Sequence, residues 1–133
     1  MGRTSPCGRK DAAARLTHAH KFLDAAELIS TDIIEEGNAS VAASLAVLAG
    51  IAACDVLCCA RLGIRSRSRD HHDAEALLQQ IVPNGKEAAQ SLRRLFDLKD
   101  TAQYGVIHMS GTQLKTALRH ARTLVALASS VGS

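Results

Sequence analysis

One carboxylate, Asp55, interrupts the most apolar stretch of the chain, Val41 to Leu62. An aspartate in such surroundings needs a cation or hydrogen-bond donors beside it, or a task that requires a buried carboxylate. Two further segments place polar groups where helical periodicity asks for apolar ones. His71 lies three residues before Ala74 and extends the stripe of Ala74, Leu77, Leu78 and Ile81. Lys99 lies four residues past Leu95, on the stripe of Ala88, Leu92, Leu95 and Ala102, with Asp100 beside it and Tyr104 closing the same segment. Asp55, His71, Lys99, Asp100 and Tyr104 are therefore the expected lining of one ligand groove, with a Lys99–Asp55 ion pair joining two helices. The plainer alternative is a polar network that fixes helix register.

A second candidate is electrostatic. Arg61, Arg65, Arg67 and Arg69, followed by His72, form the densest positive charge in the chain, a candidate phosphate-binding rim whose plainer alternative is a solvated loop. Lys115, Arg119 and Arg122 repeat at helical spacing and read as a solvated face. No metal site is expected. His18 and His20 have no acidic or cysteine partner at ligand spacing, and Cys7, Cys54, Cys58 and Cys59 lack zinc-type spacing. The four cysteines read as buried, reduced thiols, which predicts a cytoplasmic protein. No cofactor is expected, and the net charge of +3 permits a nucleic-acid partner without requiring one.

Helices must position these groups. The chain is rich in Ala and Leu and holds 2% aromatic residues and two prolines, a composition that favours an all-helical protein. Helices are predicted from Asp11 to about Glu36, Val41 to Leu62, a cap at Asp70 through about Val82, Lys86 to about Tyr104, and a cap at Ser110 to about Ser130. Gly37-Asn38, Gly63, Pro83-Asn84-Gly85 and Gly105 separate them. The first helix turns Leu16, Ala19, Leu23, Ala26, Ile29 and Ile33 inward, and the last turns Leu114, Ala117, Leu118, Ala121, Val125 and Ala128 inward. The second helix, roughly 33 Å long, could span a bilayer. Its Ala-dominated composition, Gly50, Asp55 and amphipathic neighbours instead predict the central member of a bundle, with no membrane partner. The expected architecture is all-α: a five-helix up-and-down antiparallel bundle around a buried apolar second helix, residues 11–133, preceded by a disordered basic tail, residues 1–10.

The helix order, the Ala-rich second helix with its late Asp55, the opening Asp70-His71-His72-Asp73-Ala74 and the segment Leu98-Lys99-Asp100-Thr101-Ala102-Gln103-Tyr104-Gly105 together resemble the HEPN superfamily of small helical bundles, over roughly residues 11–130. The pattern looks like that of actinobacterial members. The resemblance implies a homodimer, an RNA or nucleotide ligand, and a place in a toxin–antitoxin or defence system beside a nucleotidyltransferase or antitoxin partner. HEPN members that cut RNA carry an Arg with a His four to six positions beyond it, and assist attack of the RNA 2′-OH on the adjacent phosphate without metal. At the matching place this chain has Lys99 and Tyr104. Lysine lacks the bidentate fork for phosphate, and tyrosine, with a pKa of about 10, is a poor base at neutral pH. The expectation is an accessory protein that binds nucleotide or RNA phosphate through a catalytically inactive centre, not an enzyme.

The literal Arg-to-His spacing occurs at Arg15/His20 and at Arg67/His72. Arg15 precedes an apolar Leu16 in the first helix, whereas Arg67/His72 straddles the start of the third and belongs to the second candidate site. Two alternatives stand beside the accessory-protein reading. One is a metal-free ribonuclease with His71 as base and Lys99 as electrostatic stabiliser. The other is a structural interaction module whose apolar faces serve dimerisation or docking.

Overall fold

The computed structural model describes residues 3–67, 71–106 and 108–132, with His71 and Gly132 described by their backbone alone. Among these residues the chain forms five helices, α1 (Arg9–Ser30), α2 (Asn38–Leu62), α3 (His71–Gln79), α4 (Gly85–Tyr104) and α5 (Gly111–Gly132), and two short strands, β1 (Thr4–Pro6) and β2 (Ile64–Ser66). The protein is an all-α bundle built around α2, which packs against α1, α3, α4 and α5. Ala42, Ala43, Ala46, Val47, Ala49, Ala52, Ala53 and Val56 are fully buried. Small side chains let the neighbours come close. Gly50 is the tightest point, because a Cβ there would run into Leu95 Cδ1. Among the described residues α2 is the one helix long and apolar enough to cross a membrane, and 67% of its most apolar window lies inside the bundle.

Cross-helix pairs fix the directions. His20 meets Ser129, Glu27 meets Arg122, and Ile33 lies beside Gly111, so α5 runs opposite to α1. Leu95 packs on Gly50, while Leu57 and Arg61 share a small cavity with Pro83 and Asn84, so α4 runs opposite to α2. The bundle therefore has two ends. One gathers the start of α1, the end of α2, both strands and the start of α4. The other gathers residues 31–37, the end of α4 and the start of α5.

Local chemistry explains the boundaries. Ser110 and Gln113 form a reciprocal capping box, the Gln113 N–H donating to Ser110 Oγ at 3.1 Å and the Ser110 N–H to Gln113 Oε1 at 3.0 Å. Gly63 ends α2 in the left-handed region at φ 70°, where a side chain is disfavoured. Asp11 sits at the third helical position of α1, where its carboxylate accepts the Gly8 N–H at 2.9 Å, so the helix begins before the expected cap. The same helix stops at Ser30, short of Glu36. The Ser30 and Thr31 hydroxyls donate to the Glu27 and Leu28 carbonyls at 2.7 Å, and Asn38 Nδ2 donates to the Asp32 carbonyl at 2.8 Å. Those bonds turn the chain early, and Ile33, expected in the core, is 44% exposed. Ser40 accepts the Met109 N–H at 3.2 Å, and α2 starts at Asn38 ahead of it. The expected cap at Asp70 lies outside the described residues. The inward stripes of α4 and α5 are buried as their periodicity predicts.

The largest correction concerns the N-terminal segment, which is not a disordered tail. β1 pairs antiparallel with β2, Thr4 opposite Ser66, Ser5 opposite Arg65 and Pro6 opposite Ile64. The Cys7 N–H donates to the Gly63 carbonyl at 2.9 Å, and the Arg67 N–H to the Arg3 carbonyl at 2.8 Å. Cys7 and Cys59 are joined by a disulfide. The expectation of four reduced thiols therefore holds for Cys54 and Cys58 alone, both free and buried. Cys59 lies in the last turn of α2, where the chain reverses at Gly63 beside the start of α1, so a residue distant in sequence is next to it in space. The thiol-based argument for a cytoplasmic protein loses two of its four cysteines.

Candidate functional site

Asp55 is the hub of the strand-bearing end. Its Oδ2 accepts Arg15 Nε at 2.8 Å and Arg65 Nη1 at 3.3 Å. The carboxylate side chain is 14% exposed, against 25% for Arg15 and 40% for Arg65. Three elements thus meet at one oxygen: α1 supplies Arg15, α2 supplies Asp55 and β2 supplies Arg65. Burial pushes the Asp55 carboxyl above the ordinary carboxylate value, and the guanidiniums of Arg15 and then Arg65 pull it back only in part. His18 extends the cluster outward, its Nδ1 lying 3.1 Å from Arg15 Nη1.

The neighbouring thiols are quiet. Burial raises Cys54 well above its ordinary value, helped by Cys58 and Asp55. Burial and the Asp55 charge push Cys58 up to about 12. The thiolate is the species that attacks a disulfide, so Cys58 is a poor attacker of the Cys7–Cys59 bond despite adjoining it in sequence.

The expected five-residue groove does not assemble. Lys99 and Asp55 do not pair, because Asp55 is held by Arg15 and Arg65. With Leu95 against Gly50, α4 runs on from Leu95 toward the N-terminal end of α2, away from Asp55. Lys99 is half-buried there, Asp100 is exposed and Tyr104 is 74% exposed. Face arguments gave the angular position of Lys99 but not its height along the bundle. His71 opens α3 at the same end as Asp55, and its side chain lies outside the described residues.

The arginine rim divides. Arg65 is committed to Asp55, Arg61 and Arg67 are exposed, and Arg69 lies outside the described residues. His72 is 80% exposed, its Nδ1 3.6 Å from Glu75 Oε2. Strand pairing adds cations that the sequence reading had assigned to a tail. Arg3 lies beside Arg67, and exposed Arg9 and Lys10 open α1. Cations at a helix N-terminus reinforce its positive dipole end rather than offsetting it. Arg3, Arg9, Lys10, Arg61 and Arg67 thus share one end of the molecule, tempered by Asp11 and Asp73. Sequence reasoning left Arg15 out of both candidate sites, because an apolar Leu16 follows it. Its signal was the lone Asp55, which required a cation from some neighbouring helix.

Among the described residues no group of three or more His, Cys, Asp or Glu side chains is placed to hold a metal ion. Compared with protein-family models, curated proteins and solved structures, the chain finds no match in any of the three.

Proposed function

We propose that the protein is an RNA-phosphate-binding accessory module whose strand-bearing end is the contact surface. The observation that carries this reading is the pairing of β1 with β2, which sets exposed Arg3 beside exposed Arg67 at the same end of the molecule as exposed Arg61. Exposed arginines grouped at one end of a molecule contact a phosphate backbone without reading its sequence. The HEPN resemblance supports an RNA ligand and points to a toxin–antitoxin or defence setting with a nucleotidyltransferase or antitoxin partner. Lys99 and Tyr104 support the absence of a ribonuclease centre. The ribonuclease reading with His71 as base and Lys99 as stabiliser is weakened by the separation of Lys99 from the strand-bearing end.

Fluorescence anisotropy with a short single-stranded RNA, at low and moderate salt, tests the proposal. Salt-sensitive binding that is lost in the Arg3→Gln/Arg61→Gln/Arg67→Gln variant, with the RNA intact on a gel, is the expected result. Binding that persists in that variant would sink it.

A second reading draws on the opposite end. Leu28 is 73% exposed, Ile34 95% and Val106 98%, with Tyr104 two residues before Val106, and a 2.9 Å His108–Glu36 contact ties together the two loops that carry Ile34 and Val106. Exposed apolar residues gathered at one end suit protein contact, which favours a homodimer or a docking partner. Light scattering on native protein and Ile34→Glu tests it: a dimer that becomes monomeric supports the reading, and a monomeric native protein removes the homodimer.

A further inference from the structure

A groove of about 920 Å³ lies away from both ends, between α4 and α5. It goes beyond the RNA-binding proposal, because it shares no residue with the strand-bearing end. Arg93, Arg94 and Arg119 line it, with His120 and Ser91 at its floor. Among the described residues no carboxylate lies within ion-pair distance of these three arginines. They differ in this from Arg15, Arg65 and Arg122, each of which is paired.

The floor is built rather than incidental. Ser91 is 5% exposed, a buried hydroxyl in an Ala- and Leu-lined helix face, and its Oγ lies 3.2 Å from His120 Nδ1. A Ser91 hydroxyl that donates to Nδ1 leaves the ring proton on Nε2, as an additional donor. Burial, and then the charges of Arg119 and Arg94, lower the His120 pKa, so the ring is neutral at neutral pH and the arginines carry the charge. Thr116 and Thr123 also line the groove, but their hydroxyls donate to the Thr112 and Arg119 carbonyls.

Two acids set the size of the ligand. Glu87 and Asp97 also face the groove, and ten helical positions, about 15 Å, separate them along α4. They bracket Arg93 and Arg94. A nucleic-acid backbone running along the groove would meet a carboxylate at each side of the arginines, whereas a single phosphate fits between. A phosphate dianion offers three charged oxygens, so two guanidiniums can bind it at once, whereas a single carboxylate offers two.

We propose that the α4–α5 groove binds a small phosphomonoester, its phosphate held by Arg94 and Arg119 over the Ser91–His120 pair.

The test follows the His120 ring protons by NMR while inorganic phosphate, AMP or adenosine is added to the full chain. Phosphate and AMP are expected to shift the ring signals and raise the His120 pKa, with adenosine silent. Arg94→Gln/Arg119→Gln should weaken AMP binding at least about tenfold. Both side chains lie on the groove surface without an ion pair, so the variant is expected to fold. Arg94→Lys/Arg119→Lys should recover part of the loss through charge alone. Arg3→Gln/Arg61→Gln/Arg67→Gln should leave AMP binding unchanged, which separates this site from the RNA surface. Equal shifts with adenosine, or AMP affinity unaltered in Arg94→Gln/Arg119→Gln, would overturn the proposal.

Discussion

Arginines do two different things in this molecule. At the strand-bearing end Arg15 and Arg65 converge on one largely buried carboxylate oxygen, fixed by residues from three elements. In the α4–α5 groove Arg93, Arg94 and Arg119 line the space around a part-buried Ser91–His120 pair, with no carboxylate within ion-pair distance of them among the described residues. The first arrangement satisfies itself. The second leaves charge facing solvent, and a helical bundle has no structural use for it. Pairing, more than the density of basic residues along the chain, separates an arginine that holds the fold from one available to a ligand.

Removing the covalent tie should break that contrast most severely. Cys7→Ser, or reduction, deletes a cross-link between residues 52 apart, and the chain-entropy estimate for such a loop is about 4 kcal/mol. Urea denaturation should show a loss of that order. RNA affinity at the strand-bearing end should fall with the loosening of β1, while AMP binding in the groove stays intact under native conditions. Asp55→Ala comes next, because it leaves Arg15 and Arg65 without their acceptor. A loss of about 2–3 kcal/mol is expected, less than for a fully buried pair because Arg65 is 40% exposed.

Comparing native protein with Asp55→Asn across pH sharpens the same point. A carboxyl whose folded pKa is raised binds its proton more tightly in the folded state, so its contribution is greatest below the ordinary carboxylate range and is lost as pH rises through the shifted value. The native protein should therefore gain stability relative to Asp55→Asn as pH falls through the raised value toward the ordinary carboxylate range, the reverse of an ordinary salt-bridged aspartate. The smallest effect is expected in the groove. Arg94→Gln alone should change stability by no more than about 0.5 kcal/mol, read as an unchanged denaturation midpoint, even as it weakens phosphate binding.

Periodicity carried most of the fold. The Ala and Leu stripes of α4 and α5 named the buried residues, and the all-round apolar character of α2 named the central helix. Asp55 was visible as a polar residue out of place. Its partners were not, because helical spacing gives the angle at which a side chain leaves its axis and nothing about the relative height of two helices. That gap turned Lys99 into a false partner and hid Arg15. The strands were short enough to escape any alternation signal. The groove escaped because Ser91 and His120 come from different helices, and the basic residues of α5 read as a solvated face until α4 was beside them.

The bond between Cys7 and Cys59 has a topological side as well. It closes a covalent ring that contains all of α1 and nearly all of α2, including the exposed turn at residues 31–36. A protease that cuts once in that turn opens the ring without dividing the molecule. The two pieces stay one mass until a reductant is added, so a nicked chain can keep its bundle and travel as an intact protein.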